Sequence, residues 1–259
     1  MKSHNSLALR AFSENIRKLF FSPVFLLSCL GCIAALFVVV IEQLPDIMAT
    51  SKGYIFPADT VPKLTKSALC SDAFYFVLPL LSALPRASAL LRETESGFCR
   101  FVLSRCGKHG KHRYIVNKFF SCVISGGLVP VIAFLVFRLV LPMIFPSSGT
   151  EGESQPIYVT CLLLFLFGAF CALVGMTASV CFRQSYIALL SPFILCFLPL
   201  ILRERYFEKA FVIDPRTWIA PEAEEWFCGE YGPALLMAGM IVLFTVMFSV
   251  FSRRRLRRL

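Results

Sequence analysis

The chain has 259 residues, of which 57% are hydrophobic and only 16% are charged, and its formal net charge is +10 at pH 7. Soluble proteins carry about 25% charged residues. A chain of 29.1 kDa cannot hide this much apolar surface in a globular core. The composition therefore excludes a water-soluble enzyme, an intrinsically disordered chain and a disulfide scaffold, and it predicts an all-α integral membrane protein.

Six apolar segments follow one another along the chain. Each is close to the roughly 20 residues that an α-helix needs to cross about 30 Å of hydrocarbon. The predicted spans are residues 23–41, 73–91, 119–145, 157–180, 186–202 and 232–251. Because no long polar segment separates them, we expect residues 1–259 to form a single transmembrane domain.

The distribution of charge predicts the orientation of these spans. With both termini in the cytoplasm, 18 of the 26 Lys and Arg residues fall on the inner side, together with only 3 of the 16 acidic residues. Cytoplasmic connections are the ones enriched in Lys and Arg. We therefore expect a multi-pass protein of the cell membrane. The positive charge is then explained by topology and by attraction to anionic lipid headgroups, and no nucleic-acid partner is expected.

The residues before the first span have a helical pattern. Leu9, Phe12 and Ile16 recur at helical spacing, and Arg10 and Arg17 lie on another face. This pattern predicts an N-terminal interfacial helix that ends near Pro23.

The outer connection between spans five and six, residues 203–231, is unusually aromatic. It predicts short helices at the outer interface. Trp218 and Trp226 are expected to anchor them at headgroup level, where amphipathic rings are enriched.

Most of the eleven cysteines fall in apolar spans or on the reducing inner side, where they behave as small hydrophobic residues or thiols. Cys29 and Cys32 have CxxC spacing without a second pair, which favours core packing over a metal site. Cys70 and Cys228 face outward, and the sequence does not decide whether they are bridged.

Arg138 is an ionised residue inside the predicted third span, one to two turns from its outer end. A guanidinium group is costly in hydrocarbon unless it faces water or a partner, which makes Arg138 a candidate conduit residue. The alternative is that its long side chain extends to the outer headgroups.

The inner connection between spans two and three is the most informative segment. Span two is expected to continue past Leu91 to Glu95, and Ser96-Gly97 then permits a sharp turn. Phe98 and Phe101 mark one face of a short amphipathic helix that Gly107 is placed to end. Such a helix is a good docking surface for a soluble partner.

The residues through this connection and into span three occur in a characteristic order: Leu84-Pro85, Arg92-Glu93, Glu95-Ser96-Gly97-Phe98, Arg105, Tyr114, Lys118 and Ser125-Gly126-Gly127-Leu128. This order, together with the six-span plan, resembles ABC transporter permeases of the type-2 exporter class, especially the short six-span permeases of Gram-positive bacteria. The Glu-x-Ser-Gly stretch is common by itself, so the order and the topology together carry the resemblance.

The resemblance implies a membrane-spanning permease subunit of an ATP-driven exporter for a hydrophobic or amphipathic cargo such as a peptide, a drug or a lipid. Two permease subunits, identical or different, would form the conduit, and separate ATP-binding subunits would dock on the inner helix. The residues expected at that interface are Arg92, Glu93, Glu95, Gly97, Phe98, Arg100, Phe101 and Arg105.

The sequence predicts neither a catalytic nor a metal site. Gly107-Lys-His-Gly-Lys-His112 lacks the spacing and the Ser or Thr of a phosphate-binding loop. ATP and magnesium are therefore expected on the partner subunit, and this chain is not expected to be an enzyme. The alternative to a permease is a membrane scaffold or sensor that recruits a cytoplasmic partner without moving a solute.

Two further expectations concern packing and pairing. Ser125-Gly126-Gly127 predicts a close helix crossing rather than a nucleophile. Glu93 and Glu95 are nearly alone among basic residues, so at least one is expected to pair with Arg10, Arg17 or Lys18 of the N-terminal helix.

Overall fold

The computed structural model describes residues 20, 22–50, 56, 60–146, 156–206, 211–221, 226 and 229–256, and for residues 46, 49, 50, 98–113, 211, 230 and 253–256 it describes the backbone alone. The predicted N-terminal interfacial helix lies outside these residues. The regular structure of the described part is helical. Its helices are α1 Pro23–Thr50, α2 Thr60–Cys70, α3 Asp72–Ala83, α4 Ala89–Glu95, α5 Phe98–Ile144, α6 Ile157–Phe182, α7 Ile187–Tyr206, α8 Arg216–Ile219 and α9 Gly232–Leu256.

Within the described residues, five stretches are long and apolar enough to cross a membrane: Pro23–Pro45, Tyr114–Ile144, Ile157–Phe182, Ile187–Tyr206 and Gly232–Ser252. Helices α2 and α3 are bent by 60° at Ser71, and together they count as a sixth. The architecture is therefore consistent with a multi-pass membrane protein of five to six spans, and the predicted all-α class is confirmed.

The long helices alternate in direction, so the bundle has two ends. At one end, called the Asp72 end, α3 begins and α5 ends; at the other, called the Gly97 end, α5 begins. Phe37 of α1 contacts Phe137 of α5, with ring centroids 5.2 Å apart. Towards the Gly97 end, Phe119 of α5 stacks on Phe248 of α9 at 6.0 Å.

Helix α6 is the centre of the bundle. It contacts α3, α5, α7 and α9, and its residues from Phe167 to Thr177 are buried without a break. A helix that is apolar on every side is typical of a position surrounded by other helices. The remaining long helices leave one side facing outward, as shown by large exposed side chains such as Leu27, Leu139 and Val242.

Glycines allow the backbones of α5 and α6 to come into direct contact. A methyl group added to Gly126 would clash with Ala172 and lie 2.7 Å from the carbonyl oxygen of Gly168. One added to Gly168 would clash with the carbonyl of Gly126, and one added to Gly127 would lie 2.6 Å from the ring of Phe165. The predicted close-packing role of this glycine pair is confirmed, since even the smallest side chain has no room there.

The expectation that span two is helical through to Glu95 is wrong. Helix α3 ends at Ala83, residues 84–88 form turns, and α4 then covers Ala89–Glu95. Pro85 explains the break, because its ring clashes with the carbonyl four residues earlier and its nitrogen cannot donate a hydrogen bond.

The expectation of a short helix that ends at Gly107 is also wrong. A helix does begin at Phe98, after the Gly97 turn, but it continues without interruption to Ile144 and has 47 residues. Gly107 lies inside it. A glycine in a helix costs about 1 kcal/mol relative to alanine, which the helix-forming residues on both sides offset.

Adding a methyl group at the α5–α6 crossing should destabilise the bundle. We expect Gly126→Ala to lower the thermal unfolding midpoint in detergent, because overpacking costs about 1–3 kcal/mol and the clash involves backbone that cannot move away. Gly239→Ala is the matched control, since a methyl group there meets nothing within 4 Å. Equal midpoints for the two variants would contradict the tight crossing.

Candidate functional site

The Gly97 end is shaped by a left-handed residue between α4 and α5. Gly97 has φ 77° and ψ −8°, a conformation that only glycine adopts without strain. Just before it, the backbone N–H of Ser96 donates to the carbonyl of Arg92 at 2.9 Å, which closes α4. The chain therefore reverses sharply at Gly97, as the sequence predicts.

Glu93 fastens α4 to α5. Its carboxylate accepts hydrogen bonds from the hydroxyl of Tyr114 and from the ammonium group of Lys118. The Lys118 Nζ also lies 5.7 Å from the centroid of the Tyr114 ring. The side chains of Lys118 and Glu93 are only 12% and 24% exposed, so this ion pair is partly shielded from solvent.

The expected pairing of Glu93 or Glu95 with Arg10, Arg17 or Lys18 stays a prediction, because those three residues lie outside the described part. Within the described part, the Glu93 carboxylate is engaged by α5. Tyr114 and Lys118 are four residues apart and share one face of α5, which is why one carboxylate reaches both.

The predicted interface residues lie together at the Gly97 end. Arg92 and Glu95 are exposed on α4, and Gly97 is half-buried at the turn. Residues 98–105 form the first two turns of α5, where the backbone alone is described. The side chains of Phe98, Arg100, Phe101 and Arg105 lie outside the described part.

A cavity of about 280 Å³ opens at the Asp72 end, between α2, α5, α6 and the segment after α8. Arg138 of α5 lines it together with Lys63 and Lys66 of α2. The other lining residues are Pro62, Thr65, Leu69, Phe134, Ile157, Thr160, Ala220 and Pro221. The charged side chains among the described residues of its wall are all basic.

The two lysines follow from the amphipathic pattern of α2. Val61, Leu64 and Ala68 are buried against the bundle, and Lys63 and Lys66 lie off that face, three residues apart. Sequence reasoning missed them because residues 42–72 were treated as a connection. The signal was present in the three- and four-residue spacing of the apolar positions in the segment 60–70.

A network of charged groups holds the connection after α7 against the bundle. The buried carboxylate of Asp214 pairs with Arg203 and also accepts the backbone N–H of Arg216 at 2.9 Å. The Arg216 guanidinium lies 2.7 Å from Asp72, at the start of α3. It also lies 5.8 Å from the centroid of the Tyr75 ring.

The expected headgroup positions of Trp218 and Trp226 do not match their surroundings. Trp218 is 7% exposed, and its ring meets those of Phe167 and Phe170 of the central helix, with centroids 6.5 and 6.4 Å apart. Its indole N–H donates to the carbonyl of Val212 at 2.9 Å. Trp226 is 9% exposed. Both rings are packed in protein, because the connection folds into the bundle.

The described residues contain no group of three His, Cys, Asp or Glu side chains that could hold a metal ion. The two ends of the bundle differ in what they present: a cavity with basic side chains in its wall at the Asp72 end, and charged residues of α4 and α5 at the Gly97 end. No protein-family model matches the chain, and no curated protein matches it in sequence.

Loss of the Asp214 charge should loosen the connection that carries Trp218. We expect Asp214→Asn to lower the free energy of unfolding by about 2 kcal/mol, since hydrogen bonds to charged groups contribute about 1.5–3 kcal/mol. Unfolding in mixed micelles measures the change. Glu204→Gln is the control, because that side chain is 61% exposed and 4.0 Å from Arg216. Similar losses in both variants would contradict the role of Asp214.

Proposed function

We propose that this chain is the membrane-spanning permease subunit of an ATP-driven ABC exporter and that it moves a hydrophobic or amphipathic cargo. A separate subunit binds and hydrolyses ATP with magnesium, and a second permease subunit, identical or different, completes the conduit. Both termini and the Gly97 end face the cytoplasm. The family resemblance and the inward bias of Lys and Arg support this assignment.

The observation that carries the proposal is the continuity of α5. The helix starts at the Gly97 end and reaches Arg138 at the cavity, about 60 Å away at 1.5 Å per residue. A partner that moves the first turns of α5 therefore also moves one wall of the cavity. That is the coupling an exporter needs between ATP hydrolysis on one side and release on the other.

The first part of α5 is suited to a soluble partner. The apolar span begins only at Tyr114, so residues 98–113 precede it by about 24 Å of helix. This segment carries Arg100, Arg105, Lys108, Lys111 and Arg113, which disfavour a position in hydrocarbon. Phe98 and Phe101 supply the aromatic anchors that dominate many interfaces.

The orientation can be tested with two native cysteines, Cys70 at the Asp72 end and Cys181 at the Gly97 end, both exposed. We expect an impermeant maleimide to label Cys70 in intact cells and to reach Cys181 only after permeabilisation. Loss of maleimide labelling in the Cys70→Ser or the Cys181→Ser variant shows which cysteine was labelled. Labelling of Cys181 in intact cells would reverse the proposed orientation.

The docking surface can be tested by copurification. The wild-type chain should bring down a soluble protein with a phosphate-binding loop and show vanadate-sensitive ATP hydrolysis in lipid. A Phe98→Ala, Phe101→Ala double variant should lose at least tenfold in that association, since buried aromatic anchors often contribute about 2 kcal/mol each. Phe120→Ala is the control, because Phe120 is an exposed aromatic residue on the same helix.

The outcomes separate the two classes of function. Full association and ATP hydrolysis in the double variant would contradict the docking surface. A stable soluble partner without ATP hydrolysis would favour the scaffold or sensor over the permease.

A further inference from the structure

We propose that water molecules bind inside the bundle, along a polar seam between α3 and α5, and hydrate it as far as the glycine crossing. The polar seam consists of Ser82 of α3 and the face of α5 that carries Asn117, Ser121 and Ser125. The proposal concerns a binding site for water and does not depend on transport. It rests on buried polar groups without partners, on their spacing and on their depth in the bundle.

Three polar atoms of the seam are buried without a hydrogen-bond partner among the described residues. Ser82 is 0% exposed and Ser121 is 2% exposed, and the Oγ atom of each is unpaired. The side-chain oxygen of Asn117 is buried and unpaired as well. A buried polar group without a partner is costly, and bound water is the common partner of such groups.

Other buried hydroxyl groups of the spans pair within their own helix. A serine or threonine in a helix can donate to the carbonyl three or four residues earlier. Ser28 donates in this way to Val24 at 2.8 Å, and Thr177 donates to Leu173 at 2.8 Å. The two unpaired serines of the seam have the same option and do not use it, which indicates that they face a different partner.

The spacing of the unpaired groups suits a bridging water molecule. Asn117 and Ser121 are one turn apart on α5, so their Cβ atoms are about 5–6 Å apart. A water molecule that makes two hydrogen bonds of about 2.8 Å spans a similar distance. The same face continues towards the Gly97 end with Lys118 and Tyr114, which bind the Glu93 carboxylate. The seam is therefore polar from that ion pair inwards.

The seam reaches deep into the bundle. A methyl group on Gly126 would lie 3.1 Å from the carbonyl oxygen of Ser82, which places α3 beside this part of α5. Gly126 is about 18 Å along α5 from Tyr114, where the apolar span begins. Polar groups at such depth are tolerated where they are buried in protein or face water. The Glu93 side chain is 24% exposed, so water can enter the seam from the Gly97 end.

Radiolytic labelling of the purified chain in lipid nanodiscs tests the proposal. X-rays generate hydroxyl radicals from water in place, and mass spectrometry locates the side chains that they modify. In the unmodified chain, the thiol of Cys122 is 1% exposed and next to Ser121, and that of Cys171 is 0% exposed in α6. Because both are shielded from bulk water, we expect Cys122 to be modified at least fivefold faster than Cys171.

Variants locate the water within the seam. The thiol introduced by Ser121→Cys should also be modified at least fivefold faster than Cys171, and adding Asn117→Leu should slow that modification at least threefold. Ser28→Cys is the matched control, because Ser28 is 0% exposed and its hydroxyl is paired within α1. Its thiol should react no faster than Cys171. Unchanged labelling of Cys171 in every variant reports that the bundle remains folded.

Two results would overturn the proposal. Equal labelling of Cys122 and Cys171 in the unmodified chain would show that the seam is dry and that its hydroxyl groups turn to the carbonyls of their own helices. Undiminished labelling of the Ser121→Cys thiol after Asn117→Leu would show that the groups of the seam do not hold the water.

Discussion

The backbone contact between α5 and α6 is the constraint on which the rest of the bundle depends. Gly126 and Gly168 face each other at a crossing with no room for a methyl group. A second close contact follows one helix further on, where a methyl group at Gly175 would clash with the carbonyl of Ala188 and lie 3.1 Å from Ala87. In hydrocarbon, helices gain little from burying apolar surface, so association relies on van der Waals contact at short range. These glycines make α6 the axis around which the other helices pack.

Charged pairs tie connecting segments to the bundle at both of its ends. At the Gly97 end, Glu93 ties α4 to α5 through Tyr114 and Lys118. At the Asp72 end, Asp214 and Arg216 tie the last connection to α7 and α3. Both sets of pairs lie near the ends of the apolar spans, and Asp214 is buried, so hydrogen bonds to these charges are needed to offset the cost of removing them from solvent. The middle of the bundle thus depends on close backbone packing, and at its ends ion pairs are added to the apolar contacts.

Five of the six spans were predictable from the sequence because apolar stretches of about 20 residues dominate any other signal. The second, predicted over residues 73–91, is instead a bent pair of helices over residues 60–83. The Gly97 turn and the crossing at Gly126 were predictable because only glycine suits a left-handed turn or a backbone contact. The helix from Phe98 through Gly107 was not, since a glycine in a basic segment has the same local pattern whether it ends a helix or lies inside one. Arg138 was identified as unusual, but its neighbours Lys63 and Lys66 are more than 70 positions away in the chain and meet it only through the fold. Trp218 was misplaced because an aromatic residue in a connection has the same local pattern whether it faces lipid or turns inward.

Pro130 gives the glycine crossing a mechanical consequence. A proline at this position cannot donate to the carbonyl of Gly126, four residues earlier, and that oxygen is the atom that lies against Gly168. A helix lacking this hydrogen bond bends more easily there, so the crossing is the natural hinge of α5. The arm from Phe98 to Gly126 is about 42 Å long and the arm from Pro130 to Arg138 about 12 Å, at 1.5 Å per residue. An equal rotation of the two arms about this hinge therefore displaces Phe98 several times further than it displaces Arg138.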